Sequence, residues 1–270
     1  MTFIDHLEAL RWHIIRMMIA VVMCAIAIFI KIDWVFDNII AGPINPDFVS
    51  YKAMCEFSRW AHLGDALCMP PIQVKMQTTS FGGQFMSSIS IGFFGGALLA
   101  FPYLLFELWR FIKPALKPKE LNTSRFAIIW ISFFFFLGVS FGFFILAPFT
   151  FNFLGNYTLG SAQLLDTRPA LSDYLDNLIN ITLGCGLAFQ LPVVSYVLTR
   201  LGIVTPTLLK ESRKWAIVII LVVAAVITPS PDWISQMLVF IPLFMLYQAS
   251  ILISAKVYKE EQQKELKEWS

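Results

Sequence analysis

"FAIIWISFFFFLGVSFGFFILAPF", residues 126–149, runs for 24 positions without a charged side chain. As an α-helix it would reach about 36 Å, more than the roughly 30 Å of a bilayer's hydrocarbon core. It does not alternate apolar and polar residues, as a strand of a membrane barrel must. The rest of the chain has the same character. Of its 270 residues, 57% are hydrophobic and 14% charged, with a mean hydropathy of +0.70. A soluble domain carries about 25% charged residues. The class is therefore an all-α integral membrane protein.

Working outward from that run, six transmembrane helices are expected, at about 13–32, 84–108, 126–151, 174–199, 215–228 and 234–255, forming a single membrane domain over residues 1–270. A long outer loop, about 33–80, follows the first. Fifteen Lys and Arg residues lie in the segments on the side of the termini and five on the other. The excess of positive charge marks the cytoplasmic side, so the expected topology has both termini inside. The fifth span has 14 residues, about 21 Å, and is short for a bilayer. Pro102, Pro148, Pro192 and Pro242 fall in four different spans. Each removes a backbone hydrogen bond and kinks its helix, which predicts a concave bundle. Gly138 and Gly142 form a G-x-x-x-G, a helix-packing signal.

No Gly-rich phosphate loop, H-E-x-x-H or cysteine cluster with metal spacing is present. The three histidines, His6, His13 and His62, are too scattered for a metal site, and none lies in a span after the first. Neither catalysis nor a cofactor is expected. Cys24 and Cys185 lie within spans as packing residues. Cys55 and Cys68 lie together in the outer loop, where a disulfide can form. Closing a loop of that size stabilises by about 3 kcal/mol in the chain-entropy model.

Four polar features remain. "FIDHLEALRW", residues 3–12, puts two acids, a histidine and an arginine just ahead of the first apolar run. A cleaved export signal would begin basic and end on small residues, so this reads as a retained helix with a polar foot. Glu120 lies in the first inner loop, after Trp109, Phe111 and Pro114, as part of an aromatic and acidic ledge. Gln190 is the one large polar side chain deep in the fourth span, either facing a partner or wet cavity or holding the bundle together by an internal hydrogen bond. "PSPDW" turns the chain between the last two spans.

Four motifs in order, "HLEALRW" (6–12), "FPYLLFELWRFIKPALKPKE" (101–120), "AFQLPVV" with "LGIVTP" (188–206) and "ITPSPDWISQMLVFIPLFMLYQASI" (227–251), resemble the TatC family of twin-arginine protein export. The resemblance covers nearly the whole chain. It implies a non-enzymatic translocase subunit of the cytoplasmic membrane that binds twin-arginine signal peptides. It also implies assembly with single-span TatA and possibly TatB, self-association, and use of the proton-motive force. It places Glu120, Phe111 and Pro114, with Trp109 and Glu8, in the signal-peptide site. Two guanidinium groups there would meet carboxylates in a half-dry setting, where charge-assisted bonds are strongest. The family's second foot acid is replaced here by Ala9, leaving Glu8, with Asp5 one turn earlier. Gln190, Thr228, Gln236 and Asp232 match positions where a partner helix docks. At Gln190 the family often carries glutamate, so no titrating group is available there. The rival reading is a small secondary transporter with a midplane site around Gln190. Such transporters often repeat one half in the other, and no internal repeat is found.

Overall fold

The computed structural model describes residues 3–60, 62, 68, 75–112, 124–157, 168–200, 202–228 and 233–269. Among them the only β-structure is one isolated bridge, Gln77 with Ala170. The helices are α1 (Phe3–Ile30), α2 (Ile32–Val35), α3 (Val49–Trp60), α4 (Gly83–Ile112), α5 (Ser124–Phe141), α6 (Ala147–Asn156), α7 (Leu171–Ala188), α8 (Leu191–Arg200), α9 (Pro206–Glu211), α10 (Arg213–Ile227) and α11 (Trp233–Trp269). Five helical stretches are long and apolar enough to cross a membrane: Glu8–Ile30, Gly83–Phe111, Ile128–Asn156, Leu171–Arg200 and Trp233–Glu260. The remaining expected span, the fifth at about 215–228, corresponds to α10, whose 15 residues reach only about 22 Å.

Proline chemistry explains two helix breaks. The ring of a proline collides with the carbonyl four residues earlier. For Pro192 that carbonyl belongs to Ala188, where α7 ends, and α8 begins at Leu191. For Pro148 it belongs to Phe144, inside the π-helical turn Gly142–Leu146 that separates α5 from α6. Pro102 and Pro242 lie inside α4 and α11 without ending them. The stop after α8 is made by glycine. Gly202 takes φ +70°, its N–H bonds to Thr199 O at 3.0 Å, and the Ile203 N–H bonds to Leu198 O at 3.0 Å. That is a Schellman motif. Thr205 then caps α9, accepting from the Leu208 N–H at 3.3 Å, with Pro206 at the first helical position.

The chain divides into two compact units. In the first, α1 packs on α4. The α1 residues partly or fully covered, including Leu10, His13, Met17, Val21, Cys24 and Ile28, recur every three or four positions. Small residues let the backbones approach: a Cβ on Gly96 would stand 2.7 Å from Ala25 N and 2.9 Å from Val21 O. The start of α7 joins this unit through Gln77, which exchanges backbone hydrogen bonds with Pro169 and Leu171, and through Tyr174, whose hydroxyl donates to Ile40 O at 2.5 Å.

In the second unit, Gly138 and Gly142 on α5 and its π-helical turn meet the backbone of α7. Helix α11 packs on α8, where Thr199 and Ser254 share a buried hydrogen bond of 2.8 Å, and the Tyr247 hydroxyl donates to Leu209 O of α9 at 2.6 Å. Each hydroxyl gains a partner that lipid cannot supply. Helix α3 also belongs here. Its Tyr51 is buried and donates to Pro148 O at 3.4 Å. Burial pushes this phenol up to about 12, against a smaller opposing effect of its hydrogen bond with Asn152, so it stays neutral and able to donate throughout the physiological range.

Cys55 on α3 is bonded to Cys68, with Cα atoms 4.4 Å apart. A membrane-impermeant maleimide should therefore label neither cysteine in intact, unreduced protein and should label both after reduction. Ready labelling before reduction would show an open bridge.

Candidate functional site

The residues expected at the signal-peptide site divide between two helices and a segment outside the described residues. Glu120 and Pro114 lie outside them. Glu8 is exposed on α1. Trp109 and Phe111 are half-buried on the last turn of α4. The Trp109 Nε1 is buried with no hydrogen-bond partner among the described residues.

Between Phe111 and α1 stands a polar cluster that the sequence reading missed. Glu107 of α4 is 2% exposed. His13 Nδ1 of α1 lies 2.5 Å from Glu107 Oε2, and the Tyr103 hydroxyl donates to Oε1 at 3.0 Å. An ionised carboxylate only accepts, so the His13 Nδ1 must carry the proton that donates to it. Arg16 and Arg110 lie within electrostatic reach. The His13 ring also meets Phe111 edge to face, with centroids 5.9 Å apart. Leaving such an acid buried without a partner is strongly destabilising. Two donors and nearby positive charge satisfy this one.

Part of this cluster was signalled in the sequence. Tyr103, Glu107 and Phe111 are spaced four apart, on one face of a helix. A carboxylate inside an apolar span is itself a warning of function. Glu107 falls at the end of the expected span of about 84–108, where a charge reads as the approach to the inner loop. His13, 94 positions away, carried no such mark.

The docking residues sit elsewhere. Gln190 is half-buried at the break between α7 and α8, and the Val193 and Val194 N–H groups bond to its backbone carbonyl. Thr228 ends α10, buried, with its hydroxyl donating to Ala224 O at 2.9 Å. Gln236 on α11 reaches α10, where its Nε2 donates to Leu221 O at 3.4 Å. The structure thus brings Thr228 and Gln236 to the α10–α11 pair. Asp232, in the turn between them, lies outside the described residues.

Five helical stretches long and apolar enough to cross a bilayer define a multi-pass α-helical membrane protein. Residues 5–242 match the family model described as "Sec-independent protein translocase protein (TatC)". The Sec-independent protein translocase protein TatC of Blattabacterium sp. subsp. Periplaneta americana (strain BPLAN) is 36% identical over 97% of both chains. TatCy of Bacillus subtilis (strain 168) is 33% identical over 97% of this chain and 92% of its own. A solved structure described as "Crystal Structure of Twin Arginine Translocase Receptor- TatC" matches with a TM-score of 0.68 at 32% identity, covering 92% of this chain and 97% of that one. A second, of the same receptor in DDM, gives a TM-score of 0.70 at 31% identity, covering 92% and 99%. The chain belongs to the TatC family. It is a component of a Sec-independent protein translocase, a membrane transport subunit rather than an enzyme.

Proposed function

We propose that this chain is the signal-peptide receptor of a twin-arginine translocase in the cytoplasmic membrane, with both termini in the cytoplasm. The observation that carries this reading is the near full-length likeness to solved structures described as a twin-arginine translocase receptor. Glu120 is the carboxylate for the paired guanidinium groups, Trp109, Phe111 and Pro114 form the apolar ledge beside it, and Glu8 contributes from the foot of α1. The half-buried setting of Trp109 and Phe111 supports this, because a partly dry aromatic floor strengthens a guanidinium–carboxylate bond.

Single-span TatA or TatB partners dock through their transmembrane helices on Gln190 and on the Thr228–Asp232–Gln236 region, and a second copy of the chain joins the complex. The amide at Gln190 offers hydrogen bonds without charge, which suits a helix partner in lipid. Folded cargo moves at the expense of the proton-motive force, and the 15-residue α10 makes its hairpin with α11 the natural thin point of the bundle.

The test compares a signal peptide carrying paired arginines with the same peptide carrying paired lysines, each titrated against the full chain in nanodiscs. Lysine cannot make the bidentate contact, so its peptide should bind at least tenfold more weakly. Equal affinity would overturn the assignment of a guanidinium-specific site.

A further inference from the structure

We propose that His13 and Glu107 form a hydrogen-bonded joint between α1 and α4 that holds the aromatic ledge in its peptide-binding position. The proposal rests on the reading of that ledge as the signal-peptide site. Both residues are positioning residues that act through Phe111.

Three observations carry it. Glu107 is buried, and of its two donors only His13 comes from another helix, so the pair ties α4 to α1 near the last turn of α4. The same imidazole lies edge-on to Phe111, one helical turn beyond Glu107 and on the same face. One side chain therefore fixes both the acid and the aromatic, and a shift of His13 must change the seat of Phe111. The third observation is that the helices do not need the joint in order to associate. Further along, Gly92 and Gly96 already bring α4 against Ala25 and Val21 of α1. The joint's effect is therefore local to the ledge.

The chemistry is that of a donor holding a buried anion. Among the described residues, the charged and titratable groups around the pair are Arg16 on α1 and Tyr103 and Arg110 on α4. The His13 Nδ1–H donates to a carboxylate, and a hydrogen bond to an ionised group is stronger than one between neutral groups. An arginine at this position would also offer N–H donors to Glu107.

The experiment measures binding of a twin-arginine peptide to the full chain in nanodiscs. His13→Ala and Glu107→Gln should each weaken binding about tenfold. The double variant should be no worse than either alone, because both remove one interaction. His13→Arg, which keeps a donor for Glu107, should bind within about threefold of the unaltered chain, a rescue that a space-filling role for the imidazole would not produce. Thermal unfolding in detergent confirms that each variant is folded, and His13→Arg with Glu107→Gln decides the matter if His13→Ala does not fold. Glu120→Gln is the separate arm for the receptor reading. Loss of binding in Glu120→Gln with unchanged affinity in the His13 and Glu107 variants would overturn the joint alone. Normal binding by Glu120→Gln with loss in those variants would overturn Glu120 as the carboxylate and leave the joint standing. Impairment of His13→Arg equal to that of His13→Ala would also overturn it.

Discussion

Replacement of Glu120 by alanine or glutamine should abolish export of a folded twin-arginine reporter while the protein remains inserted and folded. A guanidinium pair needs negative charge in a poorly hydrated setting, and glutamine offers an acceptor without charge. Loss of one charge-assisted contact of this kind costs about 3 kcal/mol, roughly a hundredfold in affinity. Ala9 stands where the family carries its other foot carboxylate, and Glu107 of α4 is buried and already committed to His13 and Tyr103. Glu8 is exposed on α1, so Glu8→Ala should reduce export only a few-fold. Export rates from inverted vesicles, with protein levels checked by immunoblot, separate the two. Near-normal export by Glu120→Gln would remove this residue from the site.

Gly138→Leu should disrupt the second unit outright. A Cβ at this position would lie 2.5 Å from Cys185 O, 2.8 Å from Phe189 Cβ and 2.9 Å from Gly186 Cα. Two of those atoms are backbone, so no rotamer change relieves the contact, and α5 and α7 must separate. One turn on, a Cβ on Gly142 would stand 2.9 Å from Ile181 O, so the two helices approach closely there too, and separation would strip both contacts at once. Overpacking in a tight interior costs about 1–3 kcal/mol and more where the backbone cannot move. We expect a loss of about 3 kcal/mol or more, seen as a lower unfolding temperature in detergent and a lower steady-state level in the membrane. Gly82→Ala is the control, since a Cβ there meets nothing within 4 Å. Equal unfolding temperatures for Gly138→Leu and Gly82→Ala would show that the close approach of α5 and α7 is not required.

The two glycine pairs show where reading a sequence stops. Gly138 and Gly142 stood out within a run of phenylalanines and were read as a packing motif, and they do meet α7. Gly92 and Gly96 have the same spacing and serve the same purpose against α1, yet they sit in "IGFFGGALLA" beside a third glycine, Gly95, which dilutes the pattern. Spacing along one helix shows that a flat face exists. It does not say which helix will lie on it.

The same limit applies to the site. Residue order places Trp109, Phe111 and Pro114 just ahead of Glu120, and a helix through 103–111 puts Tyr103, Glu107 and Phe111 on one face. What answers Glu107 depends on how α1 crosses α4. That crossing brings in a histidine 94 residues away, at the very start of the first expected span, where a polar residue is ordinary. Thr228 and Gln236 make the complementary case: they read as a polar cluster, and the fold turns one hydroxyl back onto Ala224 and one amide onto Leu221.

By itself the sequence determined that this chain lives in lipid and where its long apolar helices run, with Pro148 and Pro192 marking two of their interruptions, because hydrophobicity and backbone sterics act over neighbouring residues. Tertiary structure alone decided which small residues touch, which helix answers the buried acid and which polar groups turn inward. Those outcomes depend on the distance and crossing angle between helices far apart in the chain, and no local spacing encodes either.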